Sequence, residues 1–148
     1  MTYIIIIVLG LIIDRLTKTY AINNLIDNPY NGSIFNFTYL ENRGAAFGIL
    51  QDRRIFFIIL TLAIVCALVY YFLKNYKKNP KLLNVALTMI ITGAIGNFYD
   101  RLFQGYVVDF IEFAFVDFPV FNVADIFVTV GSILMIIYLI FFEEREKV

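Results

Sequence analysis

The chain contains no histidine and a single cysteine, Cys66, set inside an apolar run. Without histidine, Ser-His-Asp and Cys-His arrangements and histidine-based metal sites are excluded together. One cysteine makes no internal disulfide and no zinc site by itself. Serine is nearly absent: Ser33 and Ser132 are the two, and Ser132 lies well inside an apolar stretch, away from the lysines a Ser-Lys pair needs. Charge is scarce as well. Only 16% of the 148 residues are charged and the formal net charge is zero, so no basic surface points to a nucleic-acid partner. What the chain has instead is hydrophobic mass, 61% of its residues with mean hydropathy +0.80. That is well above the apolar share of a soluble domain. At this length one integral membrane domain, residues 1–148, is expected.

The apolar runs predict four transmembrane helices, over about residues 2–22, 55–73, 82–99 and 122–142. The first begins with no Lys or Arg and leads into DRLTKTYAI, so it reads as a retained span rather than a cleavable signal peptide. Asp14 and Lys18 in its distal half are spaced i,i+4 and share a face, whereas Arg15 reads as a charge snorkelling to the interface. Ile55–Leu73 carries no charge and meets the ~20 residues a bilayer core requires. The loop 74–81 that follows places Lys74, Lys77, Lys78 and Lys81 around Pro80. Short Lys-rich loops stay cytoplasmic, so both termini are expected inside, with 23–54 and 100–121 extracytoplasmic. DNPYNG, residues 27–32, is a turn, and Ser33–Glu41 alternates well enough for a strand or two.

Gly96–Asp125 carries five acids, Asp100, Asp109, Glu112, Asp117 and Asp125, with Asn97, Arg101 and Asn122 among them. Ionisable groups beside a bilayer mark a functional site by default. Asn97, Asp100 and Arg101 share one helical face by their i, i+3, i+4 spacing, and Asp100–Arg101 could be a local ion pair. Asn122 and Asp125, just after Pro119, have the form of a capping arrangement, which the residues alone favour over catalysis. Asp109 sits in VVDFI, an apolar context that should raise its pKa. Glu112 and Asp117 read as interface acids. With nucleophilic side chains and histidine removed, two carboxylates sharing a proton are the remaining hydrolytic option: one ionised and activating water, the other neutral. A transporter whose acids carry protons and a non-enzymatic assembly factor are the competing classes. Transport sites lie near the midplane, whereas these acids gather at one end of the helices.

The order Asp14-Arg-Leu-Thr-Lys18, Glu41-Asn-Arg-Gly-Ala-Ala-Phe-Gly48, Gly96-Asn-Phe-Tyr-Asp-Arg101, Val107-Val-Asp-Phe110 and Phe121-Asn-Val-Ala-Asp125 resembles lipoprotein signal peptidase, the bacterial signal peptidase II. Each motif alone is weak; five in that order, over essentially the whole chain, are specific. The resemblance implies an all-α membrane protein of the bacterial cytoplasmic membrane, with four spans, a small extracytoplasmic β-cradle and a short surface helix in 33–52. It implies an aspartic endopeptidase whose catalytic pair falls on Asp109 and Asp125. Asp14, Lys18, Asn42, Gly44, Asn97, Asp100, Arg101 and Asn122 fall on substrate-contacting or site-shaping positions. No metal or other cofactor is implied. The implied substrate is a prolipoprotein carrying diacylglycerol on its lipobox cysteine, cleaved just before that cysteine, with globomycin-type cyclic peptides as inhibitors. No obligate protein partner is implied.

Overall fold

The structure is a computed structural model describing residues 1–45 and 49–142. Its elements run α1 (Thr2–Asn24), β1 (Tyr30–Asn31), β2 (Phe35–Asn42), α2 (Arg54–Asn75), α3 (Lys81–Phe103), β3 (Val107–Phe113) and α4 (Val123–Phe141). Three of the helices, α2, α3 and α4, are long and apolar enough to cross a membrane. Helix α1 is 23 residues long, and its distal half carries Asp14, Arg15 and Lys18. Large apolar side chains such as Ile59, Leu73, Ile133 and Ile140 face outward, as in a multi-pass membrane protein whose solvent on those faces is lipid.

Helix α3 is the centre, with α1, α2 and α4 packed on it. Its approach to α4 depends on small residues. A Cβ at Gly93 would collide with the Ala124 carbonyl oxygen, and one at Gly131 would lie 2.8 Å from the Ala86 carbonyl oxygen. In a membrane, where apolar surface gains nothing by leaving lipid, such close backbone approach supplies the packing contacts. The buried hydroxyls of Thr88 and Thr92 donate at 2.7 Å to the carbonyls of Asn84 and Thr88 on their own helix, so neither is left unpaired in the apolar interior.

The small sheet has the order β1-β2-β3, all antiparallel. A register shift between Phe37 and Leu40 brings Leu40 opposite Asp109 and Asn42 opposite Val107. Beyond β3 the chain folds back along its free edge. Phe121 exchanges backbone hydrogen bonds of 2.9 Å with Ile111, delivering Asn122 directly to the start of α4. Ala21, Leu25, Val108 and Phe110 form the core that seats the sheet on α1.

The expected small sheet is present, with VVDFIEF as its third strand. One expectation changes: no surface helix is present among the described residues of 42–52. There, Asp52 N–H donates to the Arg43 carbonyl at 3.1 Å. Leu50 and Asp52 have φ of 57° and 62°, left-handed conformations that interrupt a helix. Residues 46–48 of that segment lie outside the described residues.

Candidate active site

Four separate pieces of chain meet where the sheet joins the helices. Helix α1 contributes Asp14 and Lys18, the end of β2 Asn42, the last turns of α3 Asn97 and Asp100, and β3 with the start of α4 Asp109, Asn122 and Asp125. All ten residues singled out in the sequence lie in or beside this junction. Asp109 and Asp125 line one cleft of about 500 Å³ together with Asn42 and Arg101. The rest of its wall is apolar, with Phe113, Phe118 and Phe121 on the sheet side and Ile126 and Val130 along α4.

Asn122 is the N-cap of α4 and makes a full capping box with Asp125. Asn122 Oδ1 accepts from the Asp125 N–H, and Asp125 Oδ2 accepts from the Asn122 N–H, both at 3.0 Å. The cap is also a bridge. Asn122 Nδ2 donates to Asp109 Oδ1 at 2.6 Å, so one residue holds both carboxylates.

Three asparagines share a common design, in which a donor on the amide oxygen dictates which carboxylate the amide nitrogen faces. Asn42 Oδ1 accepts from Gly44 N–H at 3.0 Å, and its Nδ2 donates to Asp109 Oδ2 at 2.9 Å. Asn97 Oδ1 accepts from Lys18 Nζ at 3.0 Å, and its Nδ2 donates to Asp125 Oδ1 at 2.8 Å. Asn122 is held in the same sense by the Asp125 amide. An amide group donates only from nitrogen, so each orientation follows from chemistry rather than from shape. Gly44 has a second constraint: a Cβ there would sit 2.6 Å from the Ile49 carbonyl oxygen.

Behind this layer lies a buried ionic one. Lys18 is fully buried and pairs with Asp14 at 3.0 Å and Asp100 at 2.8 Å. Asp14 turns its other oxygen to the Ala124 N–H at 3.1 Å, satisfying a first-turn donor of α4 from α1. Asp100 also accepts from Arg15 and, at 3.0 Å, from Gln104 Nε2. The local Asp100–Arg101 pair therefore does not form. Adjacent helix positions do not face each other. Arg101 instead donates to the Gly44 carbonyl at 3.1 Å and stacks over Phe57, 5.0 Å from the ring centre. Arg15 was not expected here. It is only partly exposed, lies over the Tyr99 ring and reaches back to Asp100. Its one available signal was its place beside Asp14 within an apolar helix.

The electrostatics distinguish Asp109 from an ordinary carboxylate. Burial, and next the nearby charge of Asp125, push its pKa up from 3.8 to about 7, against the hydrogen bonds from Asn42 and Asn122. That agrees in direction with its apolar sequence context. Glu112 accepts from Asn36 Nδ2 at 3.1 Å and, with Asp117, lines an adjoining cleft of about 370 Å³. Neither contacts the carboxylate pair.

Residues 6–141 match the family described as Signal peptidase (SPase) II. A lipoprotein signal peptidase of Clostridium tetani is 50% identical over 93% of this chain and 91% of its own length. One of Clostridioides difficile is 41% identical over 99% of this chain and the whole of its own. Two solved bacterial membrane enzymes superpose with TM-scores of 0.83 and 0.84 at 41% and 39% identity. They cover 93% and 95% of this chain and 87% and 94% of their own. A membrane-embedded chain with this junction of acids, and with relatives matched along nearly its full length, belongs to the signal peptidase II family of peptidases.

Proposed function

We propose that this chain is an aspartic endopeptidase that removes the signal peptide from diacylglyceryl-modified prolipoproteins, cleaving before the lipidated cysteine. The observation that carries this reading is the pairing of Asp109 and Asp125 in one apolar-walled cleft, bridged by Asn122. Asp125 lies in the first turn of α4, where a negative charge is favoured by the helix dipole. It is the member that starts ionised. Asp109, lifted to about 7, is the member that starts with the proton.

A water between them loses its proton to Asp125 as its oxygen attacks the scissile carbonyl. Asp109 passes its own proton to the carbonyl oxygen, giving a neutral tetrahedral diol. On collapse, Asp125 returns the proton to the departing nitrogen and a diol hydroxyl reprotonates Asp109. The C–N bond breaks, the signal peptide leaves with the new carboxyl group, and the lipidated cysteine keeps the free amine. No metal or other cofactor enters the cycle. Titration belongs to the pair as a unit.

The setting completes the reading. The whole chain acts as one integral domain of the bacterial cytoplasmic membrane. Helix α1 is a fourth span whose charged residues face the bundle: Asp14 and Lys18 are buried rather than turned to lipid. The lysine-rich loop between α2 and α3 is cytoplasmic by the positive-inside rule, with both termini on the same side. The cleft then lies near the extracytoplasmic face and runs along α4 past Ile126 and Val130, in reach of a substrate anchored by its acyl chains. Globomycin-type cyclic peptides would compete for the same cleft. The test is cleavage of a diacylglyceryl prolipoprotein by the purified chain, with Asp109→Asn and Asp125→Asn as separate variants. Both are expected to be inactive while remaining folded, and cleavage retained by either one would sink the dyad.

A further inference from the structure

At the other end of the bundle, α2 and α4 both lie against α3 and leave a groove between them. Its walls are Leu68 and Tyr71 from α2 and Met135 and Leu139 from α4, over a floor of Leu83 and Leu87 from α3. The groove measures about 350 Å³, within the range of small-molecule sites. Its mouth is closed by the turn that carries Lys78, with Lys74, Lys77 and Lys81 in the same short stretch. No Asp or Glu occurs between Asp52 and Asp100, so nothing on α2, the turn or most of α3 balances these lysines.

The turn is held in place. Lys78 and Asn79 N–H both donate to the Asn75 carbonyl at 2.8 Å. The buried Asn84 donates to the Tyr76 carbonyl at 2.7 Å and accepts from Asn79 Nδ2 at 3.2 Å. A positive mouth on a rigid turn, above an apolar channel open to the bilayer, is complementary to a molecule with an anionic head and hydrocarbon tails. We infer that this groove binds an anionic glycerophospholipid, its phosphate at Lys78 and an acyl chain between α2 and α4. Basic pockets between membrane helices are suited to such headgroups. The groove lies roughly 30 Å from the carboxylate pair, the length of α3 from Lys81 to Asp100, so it is separate from the cleavage site.

The experiment is thermal unfolding of the full chain in maltoside detergent, titrated with phosphatidylglycerol or with phosphatidylcholine of the same chains. Inorganic phosphate is the headgroup-only probe. Phosphatidylglycerol is expected to raise the midpoint by about 5 °C at saturation, and phosphatidylcholine and phosphate to leave it unchanged. Lys78→Glu, at the mouth, and Leu139→Trp, which fills the channel from an exposed position, should each abolish that rise. Arg53→Glu, an equal charge change near the far end of α2, should preserve it. Four results would overturn the inference: an equal response to phosphatidylcholine, the whole response from phosphate alone, equal losses in Lys78→Glu and Arg53→Glu, or a response that appears only when residues 143–148 are removed. The last would make the tail the occupant.

Discussion

Lys18→Met tests whether the ionic layer behind the carboxylates is structural. The ammonium donates to Asn97 Oδ1 at 3.0 Å and forms ion pairs with Asp14 at 3.0 Å and Asp100 at 2.8 Å. Methionine keeps most of the stem but removes the positive charge. Asp14 and Asp100 then retain only Arg15, and the buried layer is left with one uncompensated negative charge. Removing one partner of a buried pair costs about 3–5 kcal/mol. For a chain of this size each kcal/mol moves the unfolding midpoint by about 2–4 °C, so the expected drop is roughly 6–20 °C. Far-UV circular dichroism in detergent measures it. Pairing the change with Asp100→Asn restores neutrality, and the double variant should lose less than the sum of the single losses, by about 1–3 kcal/mol. Below its midpoint, Lys18→Met should also cleave more slowly, because Asn97 Oδ1 loses one of the two donors that aim its Nδ2 at Asp125 and keeps only Asn122 Nδ2 at 3.1 Å. A midpoint within about 2 °C of the parent, with additive behaviour in the double variant, would refute the reasoning.

Other predictions address the layer in front. Above pH 3.8 the unfolded chain has lost the Asp109 proton, which the folded chain keeps to about 7. Stability should therefore fall as pH rises between those values, by at most about 1.4 kcal/mol per pH unit, and Asp109→Asn should flatten that slope in unfolding measured from pH 4 to 8. On the proposed mechanism, kcat/KM declines as pH rises through about 7, when Asp109 no longer starts with its proton. Asn122→Ala should cost about 1 kcal/mol for the lost cap and about 10²–10³-fold in cleavage rate for the lost bridge. Asn122→Ser restores the cap without the Nδ2 donor, so the midpoint should recover while the rate does not. Gly93→Ala places a methyl group against the Ala124 carbonyl and 2.8 Å from Val128 Cγ2. It should destabilise by about 1–3 kcal/mol and slow cleavage as Asn97 shifts relative to Asp125, both read from one purified preparation.

How much of this was legible in the sequence depended on the reach of each interaction. Helices α2, α3 and α4 appear where uncharged runs are long enough for a bilayer, because length and apolarity are local properties. The Asp14–Lys18 pair and the Asn122–Asp125 cap were visible for the same reason, since i,i+4 and i,i+3 spacing alone brings those groups together. Strand β3 was not visible. Val107 through Phe110 are buried on both faces, so the run lacks the period-two alternation that marks a half-exposed strand. The local Asp100–Arg101 pair that spacing allowed does not form, and the ion-pair partners of Asp100, Arg15 and Lys18, lie 85 and 82 positions away on α1. Nothing in spacing could reveal that Asn97 is aimed by Lys18, a donor 79 positions away on α1. The gathering of the acids at one end of the helices and the order of the motifs, taken together, pointed to one site.

Capping and catalysis first stood as alternatives for Asn122 and Asp125, and the geometry removes the conflict. A capping box needs one side-chain oxygen from each partner, and Asp125 supplies Oδ2 to the Asn122 N–H. Its Oδ1 accepts from Asn97. Each carboxylate oxygen has a further lone pair, so the cap fixes the rotamer without exhausting the acceptor. The same economy holds for Asn122, whose oxygen caps while its nitrogen bridges to Asp109. Asp14 extends it by taking the Ala124 N–H from α1, which ties the first turn of α4 to a helix more than a hundred positions earlier. Two orphan donors of that first turn, the Ala124 and Asp125 N–H groups, are thus satisfied by side chains of the site. On the proposed mechanism the water-activating carboxylate is held by backbone that the fold has to cap in any case, whereas Asp109, on a strand with no such requirement, is left to resist its own ionisation.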